Sequence, residues 1–116
     1  MEHYDYKQVI IFTNNSQKNG LVDFLDSIKY YGYAIVKNIE SSWEKGKLHR
    51  DNHAWPGSDC MFYLTVKANE VDNLILGLKR YRMKQPENIV FGVGVLPVEK
   101  LIFNMYTHEI SSETIK

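Results

Sequence analysis

Two histidines four residues apart, His49 and His53, stand in the stretch S-S-W-E-K-G-K-L-H-R-D-N-H-A-W-P-G-S at residues 41–58. One helical turn there would put both imidazoles on one face, where they could ligate a transition metal. Asp51, or His3 and His108 from elsewhere, would complete the set. No glutamate lies between the histidines as a metalloprotease helix would need, and the competing reading is a solvated pair in a loop. A second chemical group is basic: Lys79, Arg80, Arg82 and Lys84 fall within six residues. Arginine grips phosphate or carboxylate bidentately, so the run can hold a small anion. It can also do no more than complement the negative end of a helix. The lone cysteine, Cys60, reads as a small core residue.

Both tryptophans bracket the same stretch. Trp43 and Trp55 either fold down over the base of the connection or serve as anchors for a partner, since tryptophan and arginine dominate interface hot spots. Trp55 opens W-P-G-S, a turn that returns to a strand, so its structural role is the stronger. Trp43 with Lys45, Lys47 and Arg50 is the better partner surface. Nothing pairs a nucleophile with a base, or two carboxylates in one apolar site, so catalysis is not expected.

These groups need a scaffold, and periodicity supplies one. Residues 7–13 (K-Q-V-I-I-F-T) form a β-branched apolar run closed by Asn14-Asn15, which predicts a buried strand. Leu21, Phe24, Leu25 and Ile28 then recur at helical spacing, with Asn15 or Ser16 as cap and Gly32 as the left-handed terminator. Residues 33–39 predict a second strand, whose end (Asn38, Ile39) forms the base of the long connection. Residues 60–66 predict a third, with Met61, Tyr63 and Thr65 on one face and Phe62, Leu64 and Val66 on the other. Val71, Leu74, Ile75 and Leu78 repeat the helical stripe, with Asn69 as cap and Pro86 beyond its end. Residues 89–96 (I-V-F-G-V-G-V-L) predict a fourth strand.

The order is that of an α+β, ferredoxin-like βαββαβ sandwich: a four-stranded antiparallel sheet with both helices on one face. It makes a single domain of residues 1–116, with residues 98–116 as a tail. The strands are apolar on both faces, and helices cover only one. At about 25 cal/mol per Å² of apolar surface, a wet second face forfeits several kcal/mol, so self-association is expected. Gly92 and Gly94 would then admit a second chain closely.

Composition narrows the rest. The 116 residues carry 14 basic and 14 acidic side chains, so no global field favours nucleic acid or a membrane surface. One cysteine excludes an internal disulfide and fits the cytoplasm. Residues 1–7 have no basic and apolar leader pattern, and a secretory signal is not expected.

In element order and length the chain resembles the PII-like signalling proteins. Residues 92–100, G-V-G-V-L-P-V-E-K, are similar to the last strand and turn of that family, and residues 41–58 occupy the place of its T-loop. The resemblance departs at the nucleotide motifs. Where nucleotide-binding members have a loop like T-G-x-x-G-D-G-K, this chain has R-Y-R-M-K-Q-P-E-N at residues 80–88, without glycine. Nothing resembles the family's arginine-threonine-glycine-glutamate turn. The likeness is to the divergent branch, several members of which sit beside membrane transporters. It implies a cytoplasmic homotrimer without enzymatic activity, binding a small anionic or metal effector in clefts between subunits through Asn38, Ile39, Arg80, Arg82 and Lys84. It further implies that residues 41–58 dock on a partner, a membrane transporter among the candidates. The alternatives are a metal-binding sensor or heavy-metal tolerance protein using His49 and His53, and a small enzyme on the same fold with an unrecognised site.

Overall fold

The computed structural model describes residues 5–44, 47–49, 58–102 and 104–105. Strand β1 (Tyr6–Asn14) runs through a 3-10 turn into helix α1 (Lys18–Ser27), and β2 (Tyr33–Ile39) follows. Two short strands, β3 (Ser41–Glu44) and β4 (Lys47–His49), come next. Then β5 (Asp59–Lys67), a second 3-10 turn, α2 (Val71–Met83) and β6 (Phe91–Pro97) complete the order. The sheet order is β2-β5-β1-β6, every neighbour antiparallel, which is the ferredoxin-like arrangement.

Alternation along the strands decides which side chains are buried. Val9 and Ile11 of β1 and Cys60, Phe62, Leu64 and Val66 of β5 point toward the helices and are at most 1% exposed. They meet Leu21 and Leu25 of α1 and Leu74 and Leu78 of α2, the residues at helical spacing. Aromatic rings continue the core outward: Phe24 lies 5.1 Å from Tyr81, and Tyr81 lies 5.8 Å from Phe91.

The opposite face carries Ile10, Phe12, Met61 and Tyr63, partly exposed, with Val36 and Leu96 at 46% and 50% exposure. Gly92 and Gly94 lie on this face too. They pair with Phe12 and Ile10 of β1, and a Cβ at Gly92 would stand 3.4 Å from the Phe12 ring. The ring of Phe12 therefore packs beside the glycine row, on the face that the sequence expects a second chain to approach.

Several helix ends differ from expectation. Neither Asn15 nor Asn69 caps a helix with its side chain, because each sits inside a 3-10 turn preceding the helix. The residue that ends α1 in the left-handed region is Lys29, φ 64°, and not Gly32. Around it the chain closes a Schellman motif: the Tyr30 N–H donates to the Leu25 carbonyl at 2.9 Å and the Lys29 N–H to that of Asp26 at 3.1 Å. Tyr30 is thereby turned onto the core, and its hydroxyl donates to Glu70 at 3.0 Å. Burial, and then the Glu70 carboxylate, push this phenol up to about 12.

A side chain at positive φ costs about 1 kcal/mol. Lys29→Gly should raise the unfolding free energy by about that much in urea titration, and no gain would contradict the assigned terminator.

Candidate polar tie and hairpin arm

The end of β1 and the turn that follows it carry three polar residues in a row, Thr13, Asn14 and Asn15, and their side chains reach three different parts of the fold. Thr13 is fully buried, and its hydroxyl donates to the Val90 carbonyl at 2.8 Å. Asn14 is 8% exposed; its amide donates to Asp59 Oδ1 at 2.9 Å, and its oxygen accepts from the Val90 N–H at 2.9 Å. Asp59 is 1% exposed, a burial that a carboxylate bears only when hydrogen-bonded. Asn15 turns the other way. Its backbone N–H donates to the Ser58 carbonyl at 2.8 Å, and its amide donates to Ser58 Oγ at 2.9 Å and to Asn38 Oδ1 at 2.5 Å.

This tie sits where β2 leaves the sheet and β5 enters it. Val36 faces Met61 and Ile39 faces Asp59, so Lys37 and Asn38 together oppose Cys60, a β-bulge. Asn38 adopts φ 59°, which asparagine tolerates better than most residues. Beyond the bulge, β3 and β4 pair antiparallel in a sheet of their own, Ser41 opposite His49 and Ser42 opposite Leu48. Part of the long connection is thus a hairpin arm rather than an irregular loop.

On the other side of the tie lies the basic turn. Arg82 is half-buried, and its guanidinium donates to the carbonyls of Pro86 at 2.9 Å, Glu87 at 3.1 Å and Ile89 at 3.5 Å. Its fork is directed at its own backbone, shaping the turn that leads to Val90. Lys79, Arg80 and Lys84 are exposed.

The sequence-derived site residues therefore divide. Asn38 and Ile39 are at the base of the arm, Asn38 bonded within the tie and Ile39 opposite Asp59. Trp43, Lys47 and His49 fall on β3 and β4, so His49 is on a strand and not in a helical turn. Lys45, Arg50, His53 and Trp55 lie outside the described residues. Among the described residues no group of three or more His, Cys, Asp or Glu side chains is placed to hold a metal ion. Cys60 is fully buried, and burial, then the Asp59 charge, push its thiol up to about 11. Sequence reasoning missed Thr13, Asn14, Ser58 and Asp59 as a unit. The doublet N-N was the available signal, and it suggested only a strand end and a cap.

Comparison with known proteins bears on fold. No family model and no curated relative matches the chain by sequence. Among solved structures it is similar to CPII, a nitrogen regulatory PII-like protein from Thiomonas intermedia K12 bound to ADP, AMP and bicarbonate. That match has 22% identity and TM-score 0.57 and covers 85% of this chain and 98% of that one. The chain has the PII-like fold. A DUF3240 family protein from Shewanella baltica OS155 superposes with TM-score 0.65 at 15% identity, covering 86% of this chain and 97% of that one. CutA1 from Oryza sativa does so with TM-score 0.59 at 21% identity, covering 85% of each. No helix among the described residues is long and apolar enough to cross a membrane.

Asn14→Ala strips a donor from a buried carboxylate and an acceptor from the Val90 N–H, and should cost about 1–3 kcal/mol in urea unfolding. A loss below about 0.5 kcal/mol would show that the tie carries little. The buried thiol should resist a disulfide reagent at pH 8 until the protein is unfolded, because only thiolate reacts. Stability contributed by keeping Cys60 protonated is complete below the ordinary thiol pKa near 9 and is lost as pH rises toward about 11. Rapid native labelling at pH 8 would overturn that reading.

Proposed function

We propose that the chain is a regulator without enzymatic activity, a homotrimer that binds a small anionic effector between subunits and acts on a partner through the 41–58 arm. The observation that carries this is the origin of the arm: it rises from a bulge whose Asn38 is bonded to Asn15, beside the open ends of the strands. A ligand touching Asn38 and Ile39 competes directly with the bonds that fix the arm, and so shifts it between states. The PII-like neighbour bound to ADP, AMP and bicarbonate supports an anionic effector. Arg80 and Lys84 are the exposed cations of the basic turn and the natural partners of such an anion, whereas Arg82 holds the turn. The partly wet apolar face, with Val36 and Leu96 half-exposed, supports association of like chains. Trp43, Lys45, Lys47, Arg50 and Trp55 would present the partner surface, and a cytoplasmic location follows from the same reading.

Native mass spectrometry should give three times the 13.6 kDa chain mass. A thermal-shift screen of ADP, AMP, bicarbonate, phosphate, Zn²⁺, Cu²⁺ and Ni²⁺ should show stabilisation by an anion. That gain should fall at least tenfold in effective affinity in the Arg80→Ala/Lys84→Ala double variant, as about 1.4 kcal/mol of lost binding requires. A monomer stabilised by none of these compounds would contradict the proposal, and stabilisation by metals alone would favour the metal sensor.

A further inference from the structure

The two regions assigned to the effector, the basic turn and the base of the arm, are joined by hydrogen bonds linked through the Ile89–Val90 and Asn14–Asn15 peptide bonds. Arg82 clasps the carbonyls of Pro86, Glu87 and Ile89. The next residue, Val90, is held at both polar atoms: its carbonyl by Thr13 at 2.8 Å and its N–H by Asn14 at 2.9 Å. Asn14 also holds Asp59, and the adjoining Asn15 holds Ser58 and Asn38. Asn15 thus grips both legs of the arm, the outgoing one at Asn38 and the returning one at Ser58. Both legs carry an unusual feature: Asn38 at positive φ lies in the bulge of the outgoing strand, and Asp59 beside Ser58 is buried and accepts a hydrogen bond from Asn14.

We propose that Thr13, Asn14 and Asn15 are a coupling element, transmitting changes in the backbone of the basic turn to the base of the arm. A shift of residues 86–89 displaces Val90. Val90 displaces the Thr13 and Asn14 side chains, and the rigid end of β1 passes this to Asn15, which loosens or tightens both legs together. The elements are bonded side chains with discrete partners rather than residues that merely lie between two sites. Asn15 is a positioning residue here: it need touch neither effector nor partner. The regulatory meaning rests on the function proposed above, but the coupling is a property of the unliganded chain and is tested without ligand or partner.

The test is native-state amide exchange, followed by mass spectrometry, on the full-length protein. Four forms are compared: wild type, Arg82→Lys, Asn15→Asp, and the two combined. Lysine keeps the charge but cannot span three carbonyls, and aspartate keeps the acceptor of Asn15 while losing its two donated bonds. Each single change should speed exchange of the amides in residues 39–44 and 47–49 about fivefold, the factor that about 1 kcal/mol of lost hydrogen bonding gives. Exchange in β1 and β5 should be unaltered. Because the effects act in series, the double variant should exchange no faster than Asn15→Asp alone. Exchange faster by the product of the two factors would overturn the coupling, as would an arm unmoved by Arg82→Lys. Thr13→Val, which removes only the hydroxyl on the Val90 carbonyl, is the second probe should Arg82→Lys disturb folding. It should reproduce the series behaviour with Asn15→Asp, and independence there would also overturn the coupling. Coupling without any effector in the ligand screen would spare this inference and sink the regulator; an effector without coupling would do the reverse.

Discussion

A carboxylate that is almost wholly buried must find donors within the protein, and Asp59 finds one in Asn14. That requirement organises the end of the sheet. Asn14 can reach Asp59 only if β1 and β5 are in register, Asn14 opposite Asp59, and the same side chain then takes the Val90 N–H and sets the approach to β6. With Asn14 committed inward, Asn15 points to Ser58 and Asn38 and fixes where the arm departs. Three neighbouring residues thereby reach β2, β5 and the approach to β6.

The remainder of the architecture follows from apolar surface. The helical stripes bury Val9, Ile11, Phe62, Leu64 and Val66, while Val93 and Val95 on the edge strand β6 share that side and stay 36% and 40% exposed. The reverse side is only half covered, by side chains that lie on each other: Phe12 beside the glycine row, Tyr63 donating to the Met61 sulfur at 3.4 Å, and Thr65 donating to Gln8 at 3.2 Å. Such a face is semi-polar at one end and apolar at the other, with Val36 and Leu96 at its two edges. Exposed apolar surface of this kind is poorly suited to water.

Much of this was legible in the chain itself. The limits 33–39 for β2 and the two faces of β5 emerge as read, because alternation and β-branching are local signals and the tertiary structure agrees with them. What was not legible is non-local or conformationally unusual. The tie links residues 23 to 77 positions apart, and an N-N doublet carries no mark of such partners. Lys29 was overlooked as a helix terminator because lysine seldom adopts positive φ, and Gly32 nearby offered the easier choice. The shaping of its own turn by Arg82 was hidden as well, since sequence shows its charge and not the three carbonyls it meets. The pairing of β3 with β4 was hidden because S-S-W-E and K-L-H, four and three residues long, are too short for alternation to stand out.

The central claim is that Asn14 is locked between Asp59 and Val90, and side-chain amide NMR addresses it most directly. In D₂O the two Nδ2 protons of Asn14 should persist long after those of exposed Asn73 have exchanged, with shifts that move when Asp59 is changed to alanine. Loss of the Asn14 signals as quickly as those of Asn73 would mean that the end of β1 is open to solvent and holds neither the sheet nor the arm.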